Sequence, residues 1–303
     1  MTGAEQLRTD VLVAGAGPAG CAAALQCSRL GLQVVLADAA GRAGGLVAEA
    51  RLVENIPLLE GPLPGRELAT RLRNTMTGWS LSPIPAGITR ISRKKNLFHS
   101  QADGSTVISM AVILATGTVP VEYSLAGDHP PLLRSFVDLP DELHGLALAV
   151  IGGGEAAFDY ALHAAELGCD VEMLVRSDSH RAGGKLPAIA TAHPNVRISY
   201  DTVPVAALTS TGGITLEVDS PSGRLTREYA AVLAAVGRES RLPEVPGRFA
   251  QLYPCSVETT LPGLYLAGDA ALGGLGQAGS AMGQGLTAAE KAFGFIMEGK
   301  QWD

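Results

Sequence analysis

Asp10-Val-Leu-Val-Ala-Gly15-Ala-Gly17-Pro18-Ala19-Gly20-Cys21, continuing as a helical run to Leu30, is the stretch whose reading decides the fold. Asp10 to Ala14 is a short apolar β run that breaks into the turn Gly15-x-Gly17-x-x-Gly20. Each glycine has a task. Gly15 makes the tight turn, Gly17 lets the backbone approach a pyrophosphate, and Gly20 lets helix and strand pack closely. The helix N-terminus adds positive potential for an anion. Gly31 stops the helix, and Leu32 to Ala37 forms a second β run ending at Asp38, where a carboxylate can bind a ribose hydroxyl pair. Strand, turn, helix, strand and acid in that order make a βαβ nucleotide-binding unit.

Working outward, residues 41–66 are rich in Gly and Pro and read as loop, Glu67 to Thr77 as a helix, and Ser105 to Ala115 as a strand. The pattern then restarts. Leu146 to Ile151 is a β run, Gly152-x-Gly154-x-x-Ala157 a second glycine turn, Glu155 to Leu167 a helix, and Asp170 to Val175 the next strand. This internal repeat defines a second βαβ unit. Its second strand ends at Arg176 instead of an acid, with Arg181 within reach. Guanidinium groups there favour a ribose 2′-phosphate, so NADP(H) is preferred to NAD(H). Residues 196–236 read as short strands separated by turns, Leu264 to Leu266 as one more strand, and Ser280 to Met297 as a closing helix.

Composition narrows the function classes. The chain has 303 residues, 47% apolar and 17% charged, which suits two globular domains. A net charge of −7 with no block of Lys or Arg argues against nucleic acid or an anionic membrane as partner. No segment reaches the roughly 18 apolar residues of a membrane span, and the N-terminus lacks a signal-peptide pattern, so a cytoplasmic location is expected. Cys21, Cys27, Cys169 and Cys255 contain no C-x-x-C pair. Cys21 and Cys27 fall about 240° apart around one helix and cannot bridge there. All four read as packed thiols. The histidines His99, His129, His144, His163, His180 and His193 are scattered without metal-ligand spacing, so no metal site is expected.

The whole chain resembles the thioredoxin-reductase branch of the pyridine-nucleotide disulfide oxidoreductases. Gly15-Ala-Gly-Pro-Ala-Gly20, the stretch Asp38 to Leu46 with Gly44-Gly45, and Val53-Glu54-Asn55-Ile56-Pro57 are similar to its FAD segments. So are Ala115-Thr116-Gly117, Gly268-Asp269-Ala270 and the stretch Gln277 to Gly285. Val175 to Ala182 resembles its segment for the NADP 2′-phosphate, and Ala234-Ala-Val-Gly237-Arg238 the strand end near the nicotinamide. The resemblance implies an α/β fold of two Rossmann-like domains, with an NAD(P)H-binding domain (119–244) inserted into a discontinuous FAD-binding domain (1–118 plus 245–303). It implies FAD contacts at Gly15, Gly17, Pro18, Ala19, Gly20, Asp38, Ala39, Gly45, Leu46, Asn55, Ile88, Ala115, Thr116, Gly117, Gly268, Asp269, Gln277 and Ala278. NADP contacts are implied at Gly152, Gly154, Glu155, Ala156, Arg176, Arg181, Val236 and Gly237, and a homodimer is expected.

One departure shapes the functional expectation. At the place of the family's C-x-x-C, counting back from Gly152, stands Ser135-Phe136-Val137-Asp138. A hydroxyl and a carboxylate cannot relay two electrons by thiol–disulfide exchange, so the usual reduction of thioredoxin is not expected. Asp138 reads as a surface or capping acid, with proton transfer beside a flavin as its functional alternative. The expected activity is FAD-dependent NAD(P)H oxidoreduction, with electrons leaving to an acceptor outside the chain. A ferredoxin- or flavodoxin-type carrier is favoured, although Trp302 alone is available as an aromatic cover for the flavin. A small disulfide or metabolite as direct substrate is the second reading, and a flavin-binding redox sensor without turnover the third.

Overall fold

The computed structural model describes residues 5–102, 104–139, 144–247, 249–253, 256–271 and 276–300. Cys255 and Trp302 lie outside the described residues. The first elements are β1 (Glu5–Ala14), α1 (Pro18–Arg29), β2 (Val34–Asp38), α2 (Gly65–Gly78), β3 (Ile84–Pro85), β4 (Arg90–Lys94) and β5 (Leu97–Ala102). Next come β6 (Ser105–Leu114), β7 (Thr118–Pro120), β8 (Ala147–Ile151), α3 (Glu155–Glu166), β9 (Asp170–Leu174), α4 (Leu186–Ala192) and β10 (Val196–Ser199). The chain continues through β11 (Val203–Ser210), β12 (Gly213–Ser220), β13 (Gly223–Tyr229), β14 (Ala231–Ala234), β15 (Arg238–Ser240), β16 (Leu264–Leu266) and α5 (Ala278–Lys300).

In the first unit the strand order is β3-β2-β1-β6-β5-β4, with β16 also on β6. β1 pairs in parallel with β2 and β6. β6 is shared along its length. Ser105–Ser109 pairs antiparallel with β5, whereas Val112–Leu114 pairs in parallel with β16. That second pairing returns the chain to its first sheet. Val11, Leu12 and Val13 are all fully buried, which is why the run lacks alternation: helices cover one face and further apolar residues the other. α1 and α5 meet over Val11 and Val13 through a seam of small residues, Ala23, Ala24, Ala288 and Ala289, each fully buried. The backbones touch at Gly285, where a Cβ would lie 2.1 Å from the Ala19 carbonyl oxygen. The opposite face packs Leu12, Ile91, Phe98 and Leu114.

The second unit is a parallel sheet of order β10-β9-β8-β14, with the separate antiparallel sheet β11-β12-β13. Strand alternation sorts its side chains. Leu148, Val150, Val171 and Met173 join the cluster containing Phe158 and Leu162 of α3. Ala149, Ile151 and Leu174 instead pack with Ile214, Leu216 and Val218 of β12. The 196–236 stretch is therefore one parallel strand, β10, a three-stranded meander, and β14.

The compact units are Met1–Ala48, Leu52–Val119 and Ser240–Asp303 on one hand, and Glu49–Arg51 and Pro120–Glu239 on the other. The expected boundaries lay at 118/119 and 244/245; the compact units divide at 119/120 and 239/240. Ser240 to Glu244 groups with the first unit because Glu244 exchanges backbone hydrogen bonds with the β4 edge, Glu244 N–H to Thr89 O and Ile91 N–H to Glu244 O, both 2.8 Å. Glu49–Arg51 groups with the second because the Arg51 N–H donates to Asp159 at 2.9 Å and its guanidinium reaches Glu166 at 2.8 Å. Strands β3 to β5 and helix α4 were not read from the sequence.

Candidate functional site

Parallel strands put their carboxyl ends on one edge, and in the first unit that edge collects the motif residues. Gly15 sits at φ +103°, and a Cβ there would be 2.2 Å from the carbonyl oxygen of Ala115. A Cβ on Gly20 would be 1.8 Å from the Gly15 oxygen. These two glycines are demanded by the protein itself. Gly17 is not: the nearest atom to its Cβ position is the Gly45 Cα at 4.0 Å. Gly17 caps α1 with no side-chain hydrogen bond, and Pro18 opens the helix. Helix geometry leaves the N–H groups of Ala19 and Gly20 without intrahelical acceptors, so this end presents donors to an anion. A cradle open at Gly17 fits a pyrophosphate.

Asp38, at the end of β2, binds the turn directly. One carboxylate oxygen accepts from the Ala16 N–H at 2.8 Å and the other from the Ala40 N–H at 2.9 Å. Its carbonyl accepts from Ala86 at 3.0 Å, which brings the segment carrying half-buried Ile88 beside exposed Ala39. Gly45, exposed at φ +56°, abuts Gly17 with its Cβ position 2.8 Å from the Gly17 Cα, and Leu46 follows half-buried. Thr116, just past β6 and between Ala115 and Gly117, has a buried hydroxyl with no hydrogen-bond partner. An orphaned hydroxyl on this edge fits a ligand that supplies its partner.

After β16, Gly268 takes φ +68°, pressed against Ala19, and its N–H donates to the Gln284 side chain at 2.8 Å. Asp269 follows in the same turn, its carbonyl accepting from the Ser240 hydroxyl at 3.1 Å. The Asn55 amide donates to the Gln277 side-chain oxygen, and Gln277 caps α5, which begins at Ala278. Asn55 and Gln277 were both expected at the flavin, and the fold joins them. Gln284 was missed, because no spacing ties it to Gly268.

The second unit repeats the device at its own sheet edge. Gly152, at φ +143°, would place a Cβ 2.3 Å from the Ala235 oxygen, whereas no atom lies within 4 Å of the Gly154 position. Glu155 and Ala156 form the exposed first turn of α3. The loop after β9 folds back: the N–H groups of Arg181 and Ala182 both donate to the Gly153 carbonyl, at 2.7 and 3.1 Å. Arg176 and Arg181 therefore flank the glycine turn with exposed side chains. Val236 and Gly237 follow β14 at the same edge, and Gly237 accepts from the Val121 N–H at 3.1 Å.

No sulfur stands at 135–138. Ser135 is buried, Asp138 is exposed on a 3-10 turn spanning Phe136–Asp138, and the Phe136 ring stacks on His163 at 3.7 Å. Cys21, Cys27 and Cys169 are buried and unbridged. Burial, then the Asp38 charge, pushes the Cys21 thiol up to about 12, and its S–H donates to the Ala16 carbonyl at 3.2 Å. Burial, then Glu290, raises Cys27 to about 12; burial and Asp170 raise Cys169. Thiols so raised are poor nucleophiles at neutral pH. Among the described residues no group of His, Cys, Asp or Glu is placed to hold a metal, and no helix is long and apolar enough to cross a membrane.

Known proteins resemble this chain along most of its length. The NADPH-dependent thioredoxin reductase 3 of Arabidopsis thaliana is 26% identical over 303 residues, covering 93% of this chain; the chain spans 57% of that relative's length. The thioredoxin reductase of Treponema pallidum is 27% identical over 300 residues, covering 95% of this chain and 97% of the relative. A crystal structure of Lactococcus lactis thioredoxin reductase superposes with a TM-score of 0.86 at 22% identity, covering 96% of this chain and 99% of that one. The fold is thus thioredoxin reductase-like, with two Rossmann-like domains. The profile of the pyridine nucleotide-disulphide oxidoreductases matches residues 9–285, and the chain belongs to that family.

Proposed function

We propose that the chain binds FAD at the first glycine turn and NADPH, in preference to NADH, at the second, and delivers electrons to an acceptor outside the chain. The observation that carries this reading is the shared behaviour of Gly17 and Gly154. Each stands at a helix start where the protein leaves its Cβ position open, so the absence of a side chain serves a ligand. When bound, this cofactor pair supplies hydride transfer from the nicotinamide to the flavin. Residues of this chain bind and orient. The N–H groups at the start of α1 face the pyrophosphate, Asp38 stiffens the turn and offers its remaining lone pairs to the ribose, and Thr116 meets the ligand with its hydroxyl. The N-terminus of α5 at Gln277 and Ala278 offers positive potential to the electron-rich edge of the ring system. Arg176 and Arg181 meet the 2′-phosphate. No side chain is needed as acid or base.

The raised thiols of Cys21, Cys27 and Cys169, with Ser135 and Asp138 at the dithiol position, favour an acceptor that takes electrons from the flavin directly. A small carrier protein of the ferredoxin or flavodoxin type fits that requirement. The test is to mix the yellow protein with NADPH, and separately NADH, without oxygen. Bleaching within seconds, faster with NADPH, supports the reading; an unchanged spectrum rejects it. Colour returning on addition of flavodoxin or ferredoxin, and not of a low-molecular-weight disulfide, identifies the acceptor class.

A further inference from the structure

The two arginines are useful to a nucleotide only if their loop stays against the glycine turn, and the second strand does not end in a carboxylate placed as Asp38 is to hold the first turn. We infer that His180 is a positioning residue that fixes this loop and thereby sets the preference for the 2′-phosphorylated nucleotide. The inference rests on the proposed NADPH reading and adds to it a residue that does not touch the ligand.

His180 Nδ1 lies 3.0 Å from the Ala182 carbonyl oxygen; a carbonyl only accepts, so Nδ1 carries the hydrogen. The bond pins the backbone on the far side of Arg181. The ring stands edge-on to Phe158, 5.1 Å between centroids at 75°, and Phe158 is fully buried in α3, about one turn past Gly154. Tyr200 flanks the ring at 6.4 Å. The backbone of the same loop is held by the Gly153 carbonyl through the Arg181 and Ala182 N–H groups. Gly153 permits the approach: its Cβ position is 3.0 Å from Val175 Cγ1 and 3.6 Å from the His180 Cα. His180 is thus bolted to the rigid helix at one end and to the arginine loop at the other. Without it Arg181 keeps its charge but loses its fixed direction, and a charge on a loose loop gives up the geometric part of phosphate recognition.

The test uses the FAD-loaded full chain and steady-state reduction of an artificial acceptor, ferricyanide, with NADPH and with NADH. His180→Ala is expected to raise KM for NADPH about tenfold with kcat and the NADH KM unchanged, erasing most of the preference. His180→Asn, whose amide can donate to the Ala182 carbonyl, should restore part of it; Arg181→Ala should erase it to a similar extent. Thermal melts establish that each variant is folded. Should His180→Ala not fold, His180→Asn and His180→Phe decide: an unchanged NADPH-to-NADH ratio in both overturns the inference. A folded His180→Ala with the wild-type ratio overturns it alone, whereas a wild type with no preference for NADPH overturns the parent reading as well.

Discussion

The two glycine turns solve one problem with different parts. Both place a first glycine against the carbonyl of the neighbouring strand, Ala115 in one unit and Ala235 in the other, and both leave the second glycine open. They diverge at the third place. Gly20 has its Cβ position inside the Gly15 oxygen, so α1 is pressed onto its turn, whereas α3 carries a real methyl at Ala157. They also diverge in what ties the turn to the second strand. In the first unit a carboxylate, Asp38, takes the Ala16 N–H. In the second the Gly153 carbonyl takes two N–H groups from the loop itself, leaving the strand end free to be cationic. The Gly153 carbonyl and the His180 bond to Ala182 hold this loop without an acid, and a strand end without an acid can accept a phosphorylated ribose.

The third-place difference can be broken in both directions. Gly20→Ala should cost more than about 3 kcal/mol, since backbone must move, and the protein should lose its yellow colour, read by visible absorbance and thermal melting. The reverse change, Ala157→Gly, should cost only about 1 kcal/mol, the helix penalty of glycine. Next in size, Asp38→Ala strands the Ala16 and Ala40 N–H groups and should cost roughly 2 kcal/mol with weakened flavin retention. Asp38→Asn, which keeps one acceptor oxygen, should lose less.

The open glycines sharpen the comparison by a smaller stability effect. Gly154→Ala meets no protein atom within 4 Å and Gly17→Ala only the Gly45 Cα at an ordinary 4.0 Å, so melting should change by under about 1 kcal/mol while flavin binding falls in the second and NADPH affinity in the first. Equal nucleotide affinity in Gly154→Ala would show that its open space faces no ligand. Smallest is a pH effect confined to the second unit, at Glu172 in the middle of β9. Glu172 is buried there, which alone would raise its pKa, but hydrogen bonds from Ser199, Tyr229 and Arg197, and the charge of Arg197, bring it below the ordinary 4.5; Arg227 also donates to it. A depressed carboxylate contributes stability above its unfolded pKa and loses it as pH falls through the lower folded value. Acid melting curves should therefore steepen below about pH 4.5 in the wild type, and Glu172→Gln, less stable at neutral pH, should flatten that part of the curve.

Much of the architecture was readable in the chain because it depends on local order. A strand, a glycine turn and a helix are neighbours in sequence, so the spacing of Gly15, Gly17 and Gly20, and of Gly152 and Gly154, announces both units. Strands β4 and β5, at one side of the first sheet, were not readable. Arg90–Lys94 and Leu97–Ala102 are short and mix polar with apolar residues, including buried Ser100, and only the pairing of β5 with β6, and of β4 with β5, makes them strands. Glu244 joins the first unit through backbone hydrogen bonds with Thr89 and Ile91, and those are invisible along the chain.

By itself the sequence determined where the turns fall, which strand end is acidic and which is basic, and that no C-x-x-C lies within these residues, since each of these is a property of residue type and spacing. Tertiary structure alone decided which distant side chains meet. Asn55 reaches Gln277, Gln284 caps Gly268, and His180 fastens on Phe158, because packing brings together groups whose sequence separation carries no periodic signal. The side chain of Asp38 had a spacing that named a ribose partner; only the folded turn revealed that it also holds Ala16.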